Sequence, residues 1–346
     1  MSNIFITGAA GFIGSQLAYH LWQKGHNLTL LDNFSYGSED NLIFEKHSFT
    51  EEIIRDDIRN TALIDQLFAT KKFDYVYHIA GITPLPDCQM NPSEAVEVNT
   101  MGTVNLLEAA RKYGIQKFIF ASTSAVYENN RDFPSVEENV AFPSLIYPNT
   151  KYTAERFCQS YADVYGMNVT CMRFANVYGP HLDCLRTQPP VVGYLIRELF
   201  CDRTPVLHST GTQRRDFVYV EDLIDLAERV QQGTGFDAVN VSTNTTISIN
   251  ELAEIVRRLM GKENIPFRYV DSANYWNRYP KLYEGAMPIS RETLDNEVNK
   301  YTQLSNQYAK EKYGWVPKTD IEAGVQATID FSVRVLKQAK EQGRQI

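Results

Sequence analysis

The sequence lacks the features that would place this chain in a membrane, outside the cell or on nucleic acid. No uninterrupted apolar stretch approaches the length of a membrane span, and the first residues read as a strand rather than a signal peptide. The formal net charge is -8, with no long basic run, so we expect no nucleic-acid partner. The five cysteines are odd in number and show no CxxC spacing, which predicts reduced thiols and a cytoplasmic protein.

What is present is ordinary for a globular protein of two lobes. The chain has 346 residues, of which 43% are hydrophobic. Predicted strands and helices alternate through residues 1–175, which predicts an α/β fold: a Rossmann-type, doubly wound parallel sheet. Beyond this point the alternation stops, so we expect residues 176–346 to form a smaller C-terminal α/β lobe that binds substrate. A strand near 238–241 is predicted to return to the main sheet.

A glycine-rich turn organises the first strand–helix unit. Residues 8–14, GAAGFIG, follow the apolar run 4–7 and precede a predicted amphipathic helix that begins at Phe12. Such a turn lets the backbone approach a phosphate, which the helix N-terminus then stabilises. Asp32 ends the next predicted strand, about 20 residues on, where an acid would hold the adenosine ribose. Its charge would repel the 2′-phosphate of NADP, so we expect NAD to be preferred.

Tyr147 and Lys151 form a Tyr-x-x-x-Lys pair on a predicted helix, with both side chains on one face. A phenol with a pKa near ~10 is a poor base at neutral pH. A nearby ammonium and a positive nicotinamide ring would favour the phenolate. The pair could then take a proton from a sugar hydroxyl as hydride leaves for the cofactor. Ser-Thr-Ser at 122–124, at the end of the preceding predicted strand, supplies hydroxyls that could share this proton.

These motifs in combination resemble the extended short-chain dehydrogenase/reductases. Within them, the chain is similar to the NAD-dependent nucleotide-sugar epimerase/dehydratase family, in its UDP-glucose and UDP-glucuronate 4-epimerase-like branch. The resemblance is carried by the glycine-rich turn, Asp32, HIAG at 78–81, Asn99, STSAVY at 122–127 and the Tyr-x-x-x-Lys pair. RFANVYGP at 173–180 and GTQRRDFVYVED at 211–222 are similar to markers of the substrate lobe.

The resemblance implies site residues, a cofactor and an assembly. It implies bound NAD, a nucleotide-sugar substrate and a homodimer formed through helices 92–113 and 147–165. The catalytic residues would be Thr123, Tyr147 and Lys151. The implied cofactor-binding residues are Gly8, Gly11, Phe12, Ile13, Gly14, Asp32, Asn33, Ser35, Gly37, Asp57, Ile58, Ile79, Ala80, Gly81, Asn99, Ser122, Tyr147 and Lys151. The implied substrate-binding residues are Thr83, Thr123, Ser124, Asn176 and Arg215.

Some positions depart from the family pattern or leave alternatives open. Glu128 stands where the family usually has glycine, and its role is open. In the segment 273–305, Arg278 and Arg291 are both candidates for contact with the diphosphate. The histidines at 78, 181 and 208 have no ligand-like spacing, so we expect core or surface histidines and no metal. The nucleotide base and the sugar, including whether it carries a carboxylate or an N-acetyl group, are not determined by these motifs.

The expected activity is epimerisation at carbon 4 through a transient 4-keto intermediate. Dehydratases and decarboxylases that the chain resembles place an added acid or base just after the active-site Thr. Here Ser124 and Ala125 occupy those positions, and Glu128 lies beyond Tyr127. The alternatives are a dehydratase, decarboxylase or reductase of the same family, or a non-catalytic NAD-binding regulator, which would have no need of Thr123, Tyr147 and Lys151.

Overall fold

The computed structural model describes residues 1–344 and 346. The strands are β1 (Asn3–Thr7), β2 (Asn27–Asp32), β3 (Ile53–Arg55), β4 (Tyr75–His78), β5 (Lys117–Thr123), β6 (Val169–Phe174), β7 (Asn176–Tyr178), β8 (Val206–His208), β9 (Arg214–Arg215), β10 (Phe217–Tyr219), β11 (Phe236–Val241), β12 (Ile247–Ser248) and β13 (Arg268–Val270). The helices are α1 (Phe12–Gln23), α2 (Thr61–Lys71), α3 (Leu85–Met90), α4 (Pro92–Val96), α5 (Gly102–Tyr113), α6 (Ile146–Tyr165), α7 (Val191–Phe200), α8 (Val220–Arg229), α9 (Ile249–Leu259), α10 (Arg291–Asn299), α11 (Gln307–Tyr313) and α12 (Ile321–Glu341).

The main sheet has the doubly wound topology that the alternation predicts. Among the described residues it contains seven strands in the order β11-β6-β5-β4-β1-β2-β3, and all neighbouring pairs are parallel. Chain order reverses between β1 and β4, so the loops after these strands diverge and leave a crevice at their C-terminal ends. The last strand of the sheet, β11, pairs with β6 and comes from the second half of the chain.

Apolar strands explain why this sheet is covered on both faces. All residues of β5 and β6 are buried, as expected for parallel strands with helices on either side. In β1, Ile4 and Ile6 pack into one hydrophobic cluster with Leu17 of α1. Phe5, which points to the opposite face, packs into a second cluster with Leu106 of α5. The sheet therefore forms a rigid support for the loops at its C-terminal edge.

The predicted single helix over 92–113 is interrupted. It consists of α4, a π-helical segment at Glu97–Met101, and α5. A π-helical turn inserts an extra residue into the helix, a local irregularity that hydrophobic periodicity does not reveal. Asn99 lies in this segment, and its side chain hydrogen-bonds the backbone of Ile82 and the hydroxyl of Thr150.

The second half of the chain builds short strand pairs and a third hydrophobic cluster. The pairs are β7 with β10, β9 with β12, and β8 with β13. The third cluster joins α7, α9 and α12 through Leu195, Leu252 and Leu336. A capping box begins α9, since Ser248 Oγ accepts from the Glu251 N–H at 3.1 Å and Glu251 accepts from the Ser248 N–H at 2.8 Å. None of the described helices combines the length and apolarity needed to cross a bilayer.

Candidate active site

The glycine-rich turn forms the floor of a cavity of about 480 Å³, which we call the glycine-loop cavity. It lies at the C-terminal ends of β1, β2 and β4. The residues implied for cofactor binding that line it are Gly8, Gly11, Phe12, Ile13, Gly14, Asp32, Asn33, Ser35, Gly37, Asp57, Ile58, Ile79, Ala80 and Gly81. The crevice that the strand order creates is therefore lined by the residues that the motifs single out.

The turn is shaped so that only glycine fits at its closest approaches. Gly8 has φ +72°, and a Cβ there would lie 2.6 Å from the backbone nitrogen of Ala80. A Cβ on Gly14 would lie 2.0 Å from the carbonyl oxygen of Gly8. With glycine at these positions, no side chain covers the backbone at the start of α1, where free N–H groups favour a phosphate. The cavity therefore fits the pyrophosphate of a dinucleotide.

Asp32 lines the same cavity and is fixed by backbone hydrogen bonds. Its Oδ2 accepts from the Ala10 N–H at 2.9 Å, and its Oδ1 accepts from the Phe34 N–H at 2.7 Å. Burial raises the pKa of this carboxyl, and the two backbone hydrogen bonds oppose the rise. The carboxylate is thus fixed in orientation and still lines the cavity, as a ribose-binding acid must.

Two residues implied for cofactor binding have side chains that bond within the protein. Ser122 Oγ donates to Glu155 and is buried. The amide of Asn99 is occupied by Ile82 and Thr150. Neither residue lines the glycine-loop cavity. Both side chains brace β5, α6 and the loop after β4 through partners from distant parts of the chain. Their contact with the cofactor stays a prediction.

The Tyr-x-x-x-Lys pair lies near the end of β5, where Thr123 supplies a hydroxyl group. The Tyr147 hydroxyl lies close to the Thr123 side chain at the end of β5, and Thr123 lowers the pKa of the phenol. Lys151 Nζ donates to the Ala121 carbonyl at 2.9 Å. A Cβ on Gly81 would come within 3.0 Å of Lys151 Nζ, which places the ammonium at the edge of the glycine-loop cavity. The three predicted catalytic residues are therefore brought together beside it.

Burial sets the protonation states of this pair. It raises the pKa of Tyr147 to about 12, which the hydrogen bond with Thr123 partly offsets. It also lowers the pKa of Lys151 to about 8. The phenol alone is thus protonated at neutral pH, and a positive charge brought beside it would lower its pKa.

A second cavity of about 560 Å³ adjoins the first, and we call it the arginine-lined cavity. Its wall includes four arginines, Arg186, Arg197, Arg215 and Arg278. Thr83 and Arg186 line both cavities. Of the residues implied for substrate binding, Thr83, Asn176 and Arg215 line this cavity, whereas Thr123 ends β5 and Ser124 begins the turn that follows it. Several guanidinium groups in one cavity suit a ligand with phosphates.

The structure separates the two arginines that the sequence left open. Arg278 lines the arginine-lined cavity. Arg291 instead pairs with Asp271 at 2.7 Å and with Asp295 at 2.9 Å on an exposed surface. Arg186 was missed by the sequence analysis because no motif marks it. Its only signal is a cation shortly after the Tyr-Gly-Pro at 178–180.

Glu128 and the histidines complete this region. Glu128 Oε1 accepts hydrogen bonds from the backbone N–H groups of Ser144 and Leu145, just before α6. His78 is buried between Thr7 and Thr103, as a core histidine. His208, expected in the core or on the surface, lines the arginine-lined cavity. Among the described residues no cluster of three or more His, Cys, Asp or Glu is arranged to hold a metal.

Comparisons with known proteins agree with this geometry. Residues 4–241 match the NAD dependent epimerase/dehydratase family. The UDP-glucose 4-epimerase of Mycolicibacterium smegmatis is 29% identical over 328 residues, which cover 94% of this chain and 97% of that one. UDP-glucuronic acid decarboxylase 1 of Xenopus tropicalis is 28% identical over 334 residues, covering 95% and 72%.

A solved structure extends the similarity to the whole chain. It is that of UDP-glucose 4-epimerase from Thermotoga maritima with UDP-glucose. The TM-score is 0.84 at 27% identity, and the match covers 96% of this chain and 99% of that one.

Proposed function

Because the chain belongs to the NAD-dependent epimerase/dehydratase family, we propose that it epimerises a nucleotide-activated sugar at carbon 4 with NAD as its cofactor. One observation carries the proposal. Tyr147 lies close enough to Thr123 for Thr123 to lower its pKa, and Lys151 Nζ, one helical turn on, lies next to Gly81 of the glycine-loop cavity, which shares Thr83 and Arg186 with the arginine-lined cavity. A base and a hydroxyl thus lie near the junction between a dinucleotide site and a phosphate-compatible site.

The two cavities divide the binding. NAD belongs in the glycine-loop cavity, with its pyrophosphate at the turn and its adenosine ribose at Asp32, and when bound it supplies reversible hydride acceptance at the nicotinamide. The nucleotide diphosphate belongs in the arginine-lined cavity, where Asn176, Arg215 and Arg278 would contact it. Arg215 is oriented by donation to the Val298 carbonyl at 3.0 Å. Residues 176–346, apart from β11, would then act as the substrate lobe.

The protein's own residues manage one proton. Tyr147 would take the proton of the carbon-4 hydroxyl as that carbon loses hydride, and Thr123 would share the hydrogen bond. Lys151 would favour the phenolate by its charge. After the resulting 4-keto sugar turns in the pocket, Tyr147 would return the proton as hydride comes back to the other face. The sugar regains both the proton and the hydride, so Tyr147 and NAD return to their starting states.

Dehydration would need a second proton-transfer group. Ser124 and Ala125 cannot act as carboxylic acids, and Glu128 lines neither the glycine-loop cavity nor the arginine-lined cavity. We therefore favour epimerisation over dehydration. A decarboxylase remains the second candidate because decarboxylases of UDP-glucuronic acid are among the relatives.

Proton NMR of a reaction in deuterated water tests the proposal. A carbon-4 epimer formed in this way keeps its carbon-bound hydrogens. A dehydratase product would take up solvent deuterium as a 4-keto-6-deoxy sugar, and a decarboxylase product would be a pentose. If no nucleotide sugar reacts and no NADH-like absorbance develops, a non-catalytic NAD-binding regulator is the better description. A thermal-shift panel of UDP-, GDP-, CDP- and dTDP-sugars would identify the base, since a bound ligand raises stability.

We also propose a homodimer that forms through the faces of α4, α5 and α6. These elements and the π-helical segment expose large apolar side chains, namely Val96, Met101, Phe157, Val164 and Tyr165. Exposed apolar side chains on neighbouring helices are a feature of protein–protein interfaces. A cytoplasmic location is supported by the five cysteines, all described and all free.

A further inference from the structure

The catalytic helix α6 begins without a side-chain cap of its own. Its N-cap is Leu145, whose side chain has no acceptor, and no acid lies in its first turn. The first N–H groups of a helix have no partner within the helix, so they need acceptors from elsewhere. Because Tyr147 is the second residue of α6, whatever fixes this end of the helix also fixes the phenol.

Side chains from other parts of the chain supply those acceptors. Glu128 Oε1 accepts from the Leu145 N–H at 2.9 Å and also from the Ser144 N–H. Gln89 Oε1 accepts from the Ile146 N–H at 3.2 Å. A carboxylate that accepts backbone N–H bonds forms charge-assisted hydrogen bonds, which are stronger than neutral ones. Glu128 is therefore the stronger of the two external caps.

Glu128 is itself tied to the residue that shares the proton. Its backbone N–H donates to the Ala125 carbonyl at 3.0 Å, and the Ala125 N–H donates to Thr123 Oγ1 at 3.1 Å. These bonds form a short turn that begins at Thr123 and ends at Glu128. One side chain thus connects the Thr123 turn to the start of the helix that carries Tyr147.

We propose that Glu128 is a positioning residue that sets the separation between Thr123 and Tyr147. The inference rests on the proposed function, in which these two hydroxyls share the proton of the sugar. Oε1 holds two backbone donors, and Oε2 is buried with no hydrogen-bond partner among the described residues. We assign this role to the length of the side chain and to Oε1, which accepts both bonds.

Three substitutions separate the effect of the length of the Glu128 side chain from the effect of its charge. Glu128→Gln keeps the length and an acceptor oxygen but loses the charge. Glu128→Asp keeps the charge but is one methylene too short to reach both N–H groups. Glu128→Ala removes the cap. Glu138→Ala, an exposed glutamate of the following loop, is the matched control.

The readouts are kcat and KM for the nucleotide sugar that the wild type converts, with bound NAD measured alongside. We expect Glu128→Ala and Glu128→Asp to lower kcat by roughly 10- to 100-fold, because a displaced base can cost about 10²-fold. KM and the amount of bound NAD should stay at their wild-type values, since Glu128 lines neither cavity. Glu128→Gln should restore kcat to within about 3-fold of the wild type, and the control should match the wild type.

The reverse order of kcat for the Asp and Gln variants would overturn the proposal. An active Asp variant with an inactive Gln variant would assign Glu128 an acid–base role. Wild-type kcat in Glu128→Ala would remove any role, and a rise in KM alone would indicate substrate contact.

Amide hydrogen exchange separates a failure of this inference from a failure of the proposed function, because it needs no turnover. Exchange at residues 144–147 should accelerate in Glu128→Ala and Glu128→Asp and stay at the wild-type rate in Glu128→Gln. Unchanged exchange in Glu128→Ala would refute the role of Glu128 in fixing the start of α6. Accelerated exchange in a protein that converts no sugar would refute only the epimerase proposal.

Discussion

Replacing Glu155 by glutamine tests the buried ion pair that joins the catalytic helix to the sheet. Glu155 lies on the same face of α6 as Lys151, and it is 2% exposed. Its carboxylate accepts from Arg173 Nε at 3.0 Å and Nη2 at 2.7 Å, and from Ser122 next to Thr123. Burial alone would lower the pKa of Arg173, but the Glu155 carboxylate raises it above the usual value. The pair therefore stabilises a guanidinium that is only 4% exposed.

The expected loss follows from leaving that guanidinium uncompensated. Breaking a buried ion pair by removing one partner typically costs about 3–5 kcal/mol of unfolding free energy. The total stability of a domain is about 5–15 kcal/mol, so the loss is a large fraction of it. With a urea m-value of about 3 kcal/mol/M, the unfolding midpoint should fall by roughly 1–2 M.

Urea unfolding followed by circular dichroism measures the shift. Glu322→Gln, which breaks the exposed pair with Arg258, is the control and should leave the midpoint unchanged. The double variant Glu155→Leu/Arg173→Met should recover part of the loss, because it removes the uncompensated charge. A loss below about 1 kcal/mol for Glu155→Gln, or a double variant worse than the sum of the singles, would refute this reasoning.

Four other predictions follow from the site and the surface. Tyr147→Phe should lower turnover about 10²–10⁴-fold while NAD binding is retained. Near-normal turnover would show that Tyr147 is not the base. NAD should bind more tightly than NADP, and Asp32→Ser should narrow the difference in a binding titration; tighter NADP binding by the unchanged protein would contradict this. Light scattering should show a dimer at micromolar concentration, and Val164→Glu should yield monomers; a wild-type monomer would count against the interface. Burial raises the pKa of Glu137 to about 7, so the folded state holds its proton to higher pH and stability should fall as pH rises from about 4.5 to 7. Glu137→Gln should flatten that slope in urea midpoints, and an equal slope in both proteins would argue against the burial effect.

The sequence predicts the parts of the site that consecutive elements form. The glycine-rich turn belongs to one strand–turn–helix unit, and Asp32 ends the next strand, so local pattern and the rules of parallel sheets together place both. Tyr147 and Lys151 share a helix face by periodicity alone. Each of these features follows directly from a short stretch of chain.

Residues whose roles depend on distant partners were beyond such reasoning. Ser122 is turned toward Glu155, and Asn99 toward Ile82, because the partners approach from other elements. Arg186 reaches both cavities from an irregular segment that no periodicity describes. The choice between Arg278 and Arg291 needed the surface acids that engage Arg291 to be located. Long-range hydrogen bonds and ion pairs decide these positions, and one sequence does not encode them as a local pattern.

The carboxylates around the catalytic helix restrict the chemistry more than composition suggests. Glu128 ends the turn that follows Thr123, and Glu155 lies on the same helix as Tyr147. Glu155 is engaged by a guanidinium and a hydroxyl, and Oε1 of Glu128 by two backbone N–H groups. Neither glutamate lines the glycine-loop cavity or the arginine-lined cavity. A reaction with one reversible proton transfer, as in carbon-4 epimerisation, matches this arrangement, whereas elimination of water would require one of these carboxylates to reach the substrate.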